Sequence, residues 1–379
     1  MDNLYDEDEA RRKAEWDRKI ARMRREKERA LRNRYLFLHY GIPGLALIVI
    51  LIVVIAIVSG IKGKKAEDKE EVVPVIEQIP VTETVIEEEP VKERDPDDLN
   101  PSEMSAVVDG PYKYSEADSM DFLSGDQMQS MNAILVDLES GQITGQVDYK
   151  ARIVPASMTK VMTILVAAEH IDSIKDKATV TIEATDFAFK NDCSSVGFAV
   201  DETVTIEDLF YGTILSSGGD AAATLAMYVA GSQEAFVEMM NDKARELGIS
   251  GTTHFTNTVG IYNDDHYSTC YDMAIIMNAA IDNEFCRQVL GAKKYTTSST
   301  TEHPEGIGIS NWFLRRIEDK DCGGEVLGAK TGFVVQSGNC GVSYFKSNSG
   351  REYICCTANA HSAWRCIYDH VDIYKNHTI

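Results

Sequence analysis

With 379 residues, a formal net charge of −22 and 26% charged residues, the chain is too acidic to suit a nucleic-acid partner, and that acidity serves solubility without identifying a substrate. Its eight cysteines show no CxxC spacing and its histidines no clustered ligand pattern, so no metal site, redox dithiol or other cofactor is expected.

Residues 1–35 read as a charged cytoplasmic tail. Between Arg11 and Arg34, arginine and lysine interleave with Glu and Asp, the pattern of a solvated juxtamembrane helix beside anionic lipid. Leu36 to Val58 contains no Asp, Glu, Lys or Arg and is long enough to cross a hydrocarbon core of about 30 Å, so a single-pass transmembrane helix is predicted. No A-x-A site follows it, which argues against a cleaved signal peptide. The excess of basic residues before the span, against Lys62, Lys64 and Lys65 after it, keeps the N-terminus in the cytoplasm and puts the remainder outside the cell membrane. Residues 59–119 mix acidic residues and prolines without a persistent apolar face and form an extracellular linker, extended by its own charge. The chain ends soon after its last predicted helix, which leaves contact with the lipid bilayer to the N-terminal span.

Residues 120–379 are the folded domain. MNAILVDLESGQITGQVD alternates as a hairpin turning at Ser140-Gly141, and helical patterns follow at Ala156 to His170 and Gly219 to Gly231. VLGAKTGFVV, CGVSYFK and REYICCTAN predict three neighbouring strands joined by the turns QSGN and SNSG, and SAWRCIYDHVDIYKN a closing helix. The expected class is α/β of the α+β type, with one mainly antiparallel sheet flanked by helices. All eight cysteines fall in this domain. A hairpin turning at Gln336 to Gly338 sets Cys340 opposite about Gly332, too far from Cys322 for a bridge. Reduced, partly buried thiols are expected.

The chemistry centres on VPASMTKVMT, Val154 to Thr163. On a helix Ser157 and Lys160 share one face, about a turn apart. Serine needs a base, and Lys160 serves only if burial or another cation keeps it neutral at moderate pH. Lys330, in GAKTG, is the candidate second cation and a binder for an anionic group. An SxxK pattern alone is weak, and Ser59-Gly60-Ile61-Lys62 at the membrane edge is such a chance match. Its combination with a single KTG at Lys330-Thr331-Gly332 on a late strand is far more specific.

From about Asn132 to Asn376 the chain resembles the low-molecular-mass penicillin-binding proteins, serine D-alanyl-D-alanine carboxypeptidases of the SxxK acyltransferase group. The likeness rests on RIVPASMTKVMT, on the segment from DLFYGTILSSGGDAAATL to HYSTCYDMA, and on LGAKTGF. It implies a β-lactamase/transpeptidase-like fold, peptidoglycan stem peptides as substrate and β-lactam antibiotics as covalent inhibitors. It also implies roles. Ser157 would be the nucleophile and Lys160 its base, Ser217 would relay a proton, and Lys330 and Thr331 would hold the substrate carboxylate. The N–H groups of Ser157 and Phe333, the latter just after Gly332, would form the oxyanion hole. One position departs from the pattern: where the second motif usually reads Ser-x-Asn, this chain has Ser217-Gly218-Gly219, leaving no side-chain amide at Gly219 to contact lysine and substrate. Ser337-Gly338-Asn339 is a literal match displaced to the turn after KTG. Asp220 is either a substitute polar group or a helix cap, and His266 is read as structural. The alternatives are a D,D-endopeptidase or β-lactamase of the same fold, or a catalytically weak wall-binding protein.

Overall fold

A computed structural model describes residues 97–104, 112–123 and 128–379. The expected cytoplasmic tail, the span Leu36–Val58 and most of the linker lie outside the described residues; among those described, no helix is long and apolar enough to cross a membrane.

Six strands form the main sheet in the order β1-β3-β2-β10-β9-β8. They are β1 Ser115–Phe122, β2 Asn132–Asp137, β3 Gln142–Val147, β8 Gly324–Val334, β9 Gly338–Ser347 and β10 Glu352–Ala360. Every pairing is antiparallel except β1 with β3. The predicted hairpin, the three late strands and their turns stand where the sequence put them. The sheet begins earlier than the boundary at residue 120. Polar β1 runs along the exposed edge, and Asp98, in the stretch read as linker, accepts from Ser173 Oγ at 2.8 Å and from Lys175 N at 3.2 Å.

Strands β2 and β10 read as apolar runs because both their faces are covered. Side chains alternate across the pleat. Ile134, Val136, Ile354 and Cys356 meet one apolar cluster, while Ala133, Leu135, Tyr353 and Cys355 meet the other. The adjacent cysteines Cys355 and Cys356 therefore point to opposite faces. Gly332 pairs with Cys340, and Cys322 lies ahead of β8; no disulfide joins the buried cysteines.

The smaller cluster is closed by α8 (Trp312–Ile317) and α9 (Ala363–His377), where Tyr374 stacks on Phe345 with centroids 4.0 Å apart. The larger draws on α1 Thr159–Ala168, α3 Ile206–Leu215, α4 Gly219–Ala230, α5 Gln233–Glu246, α6 Cys270–Asp282 and α7 Glu284–Gly291, while α2 Ile182–Lys190 packs against α4. Two-stranded pairs, β4 (Lys177–Thr179) with β5 (Thr203–Thr205) and β6 (Lys294–Thr296) with β7 (Gly308–Ser310), flank them. All ten residues of α1 are buried. Apolar or small on every side, it is a core helix surrounded by α3, α4, α5, α6 and α7. That position buries Lys160.

Candidate active site

Ser157 sits one step earlier than a simple helix start would place it, on a 3-10 turn, Ala156–Met158, that leads into α1. Ala156 has φ +46°, a left-handed conformation unusual for a residue with a Cβ. Two glycines let other segments close around it. A Cβ on Gly332 would meet Pro155 O at 2.9 Å and Ala156 Cβ at 3.1 Å, and one on Gly260, at φ +84°, would lie 1.7 Å from Ala156 O. The result is a half-buried hydroxyl on a tightly held turn.

Lys160, 1% exposed, donates from Nζ to Ser157 Oγ and to Val259 O, each at 2.9 Å. Burial holds its pKa near 8, while the charges of Cys193 and Asp220 oppose that shift. The sequence reading named a second cation as one possible cause; here desolvation leads. Lys330, 2% exposed, donates to Ser217 Oγ at 3.0 Å and to Thr331 O at 2.9 Å. Burial, then the nearness of Lys160, pushes its pKa well below the usual lysine value. Repulsion between the two buried lysines disfavours charging both at once.

Ser217 has φ +55° and lies in the turn between α3 and α4. With Ser194, Lys330, Thr331 and Trp312 it lines a cleft of about 560 Å³. Phe333 is 60% exposed, one residue beyond the buried Gly332. Ser157, Lys160, Ser217, Lys330 and Thr331 are thus gathered in one region from the 3-10 turn, α1, the α3–α4 turn and β8. Gly219 is placed differently. It is buried, and its side-chain direction is filled by Cys193 and Ala188. Asp220 does not stand in for the absent asparagine. Its carboxylate accepts from Ser195 Oγ at 2.5 Å and from the N–H groups of Val196, Gly197 and Ala221 at 2.9 to 3.0 Å, which clamps the 195–197 loop. Ser337 bonds within the β8–β9 turn, accepting from Val334 N at 3.0 Å.

His266 is buried and, by that burial, held neutral with a pKa near 3. Nδ1 accepts from Thr256 N at 3.0 Å, so the Nε2 proton faces Thr159 Oγ1 at 2.8 Å. The ring ties α1 to the 256–261 loop. Asn257, which the sequence reading did not single out, shapes that loop: Oδ1 accepts from Val259, Gly260 and Ile261 N–H at 3.2, 2.7 and 2.9 Å, and Nδ2 donates to Ile261 O at 2.9 Å. An Asn two residues ahead of Val-Gly, able to close an Asx turn, was the available signal. This loop presents Val259 O to Lys160.

The arrangement couples a hydroxyl to a buried amine that is readily neutral, beside a second buried amine and hydroxyl in an open cleft. It suits acyl transfer through a serine ester. Comparisons with known proteins agree. The chain is 29% identical over 212 residues to D-alanyl-D-alanine carboxypeptidase DacF of Bacillus subtilis, covering 56% of this chain and 53% of that one. It is 38% identical over 154 residues to DacC of Escherichia coli, covering 39% and 38%. It therefore spans about half or less of the length of these relatives. A point mutant of a Streptomyces DD-transpeptidase superposes with a TM-score of 0.60 at 26% identity, covering 66% of this chain and 97% of that one, and shares its mixed α/β, β-lactamase-like fold. The D-alanyl-D-alanine carboxypeptidase family, peptidase S11, matches residues 119–362, and the chain belongs to that family.

Proposed function

We propose that this protein is a membrane-anchored serine D,D-carboxypeptidase that removes the terminal D-alanine from peptidoglycan stem peptides and is acylated by penicillins. The observation that carries the reading is the 2.9 Å bond from Lys160 Nζ to Ser157 Oγ, made by a lysine whose burial brings its pKa to about 8. As Ser157 Oγ attacks the carbonyl carbon of the penultimate D-alanine, neutral Lys160 takes its proton. The N–H groups of Ser157 and Phe333 face the developing oxyanion. Collapse breaks the peptide C–N bond, and the proton passes from Lys160 through Ser217 Oγ to the departing amine. Lys330 and Thr331 hold the carboxylate of that leaving D-alanine; an arriving anion favours the charged form of a desolvated lysine. Water, deprotonated by Lys160, then hydrolyses the ester and restores Ser157. The uncharged run Leu36–Val58, with basic residues before it, supports a cytoplasmic N-terminus, a single span and an extracellular catalytic domain.

Full-length protein in detergent, given a diacylated L-lysyl-D-alanyl-D-alanine peptide, is expected to release D-alanine and to take a covalent label from fluorescent penicillin. Ser157→Ala should lose both with its fold intact. Folded wild-type protein that neither releases D-alanine nor takes the label would refute the proposal. Cleavage confined to a cross-linked muropeptide would assign an endopeptidase instead, and fast turnover of a chromogenic cephalosporin a β-lactamase.

A further inference from the structure

The second motif ends at Gly219, which has no side chain to offer, yet the space beside it is occupied. A Cβ built on Gly219 would meet Cys193 Cβ at 2.7 Å, Cys193 Sγ at 3.2 Å and Ala188 Cβ at 3.2 Å. Unbonded carbons do not approach to 2.7 Å, so the volume a side chain at 219 would enter belongs to Cys193. The thiol reaches Asn191 O at 3.9 Å, and backbone hydrogen bonds hold its loop from both sides. Cys193 N donates to Ala188 O at the end of α2 at 2.9 Å, and Gly219 N donates to Ser194 O at 2.7 Å. The Asp220 carboxylate then clamps Ser195, Val196 and Gly197. Ser194, Ser195 and Val196 continue directly into the wall of the cleft that holds Ser217 and Lys330.

We propose that Cys193 is a positioning residue that takes, from a neighbouring loop, the volume a second-motif side chain would fill beside Gly219, and so sets the path of the 194–196 wall of the cleft. The inference rests on the reading of Ser157 and Lys160 as nucleophile and base. The pairing of Gly219 with Cys193 is steric. Either position can carry the side chain, but both cannot without moving the loop, because one Cβ excludes the other.

The test is an exchange of the two positions, read by the second-order rate of penicillin acylation, its pH midpoint and thermal melting. Gly219→Asn alone forces the clash and is expected to lower the melting temperature and slow acylation at least about tenfold. Adding Cys193→Gly removes the obstructing Cβ and should restore the rate to within about threefold of wild type, since the wall loop can then keep its path. Cys193→Gly alone leaves that volume empty and should slow acylation by about three- to tenfold, with the pH midpoint unmoved, because the wall loop loses its packing against Gly219. Cys193→Ser, which keeps a polar atom in place, should retain most of the rate. A double variant no better than Gly219→Asn, or Cys193→Gly with unchanged rate, overturns the proposal. If Cys193→Gly does not fold, Cys193→Ser decides, and a rate at least tenfold below wild type in a folded Cys193→Ser protein counts against it. These outcomes are separable from failure of the underlying reading, which shows as wild-type protein that penicillin does not label at Ser157.

Discussion

Acylation by penicillin should accelerate steeply as pH rises towards 8 and level off above it, because the base is a lysine that must first lose a proton. The perturbation is pH, and its expected size follows from where Lys160 sits. The side chain is 1% exposed, on a helix with every residue buried, and its Nζ makes bonds to Ser157 Oγ and Val259 O. Desolvation brings its pKa from 10.5 to about 8. At pH 7 roughly 10% of such a lysine is neutral, against roughly 0.03% at the unshifted value, a difference of about 3 kcal/mol in favour of the reactive form. The rate constant should therefore rise close to tenfold per pH unit between 6 and 7.5. Stability follows with its own sign. The unfolded chain holds the Lys160 proton up to about pH 10.5 and the folded chain only to about 8, so this residue's contribution to stability rises with pH between those values and is constant below them. The assay is fluorescent-penicillin labelling by stopped flow from pH 6 to 9.5, on wild type and Lys160→Ala. The variant should lose two to four orders of magnitude, the usual cost of a missing general base, together with the acid limb. A wild-type rate that is flat across this range, or a Lys160→Ala variant that keeps the limb, would refute Lys160 as the base.

Two further outcomes are expected. Gly260→Ala places a Cβ 1.7 Å from Ala156 O and 2.9 Å from Ser157 N at φ +84°, so the 257–261 loop must retreat by more than about 1 Å. Stability should fall by about 2–4 kcal/mol and acylation by about a hundredfold or more, as Val259 O withdraws from Lys160; a variant that melts and acylates like wild type would contradict the packing described for the Ser157 turn. Deletion of residues 36–58 should move the protein from the membrane to the soluble fraction with penicillin labelling intact, and persistence in the membrane fraction would refute the N-terminal anchor.

Local signals carried much of the architecture. Turn residues at Ser140-Gly141 and in SNSG, with apolar runs on either side, determine the hairpins, because turn chemistry and side-chain alternation act over a few residues. The same register arithmetic put Cys340 opposite Gly332 and kept it from Cys322. Strand β1 escaped because SEADSMDF is polar and exposed along the edge of the sheet, leaving no apolar alternation to read. The reactive groups were legible as residue types at characteristic spacing: Ser157 with Lys160, and the single KTG at Lys330. Their states were not. Whether Lys160 is a base or an ordinary surface charge depends on helices drawn from the whole domain that strip water from α1, and desolvation is a property of the surrounding volume. The same holds for Gly219, whose absent side chain reads as a deficit in the sequence. The structure sets Cys193 in that space from a loop ahead of α3, and only packing decides which of two distant residues occupies one volume.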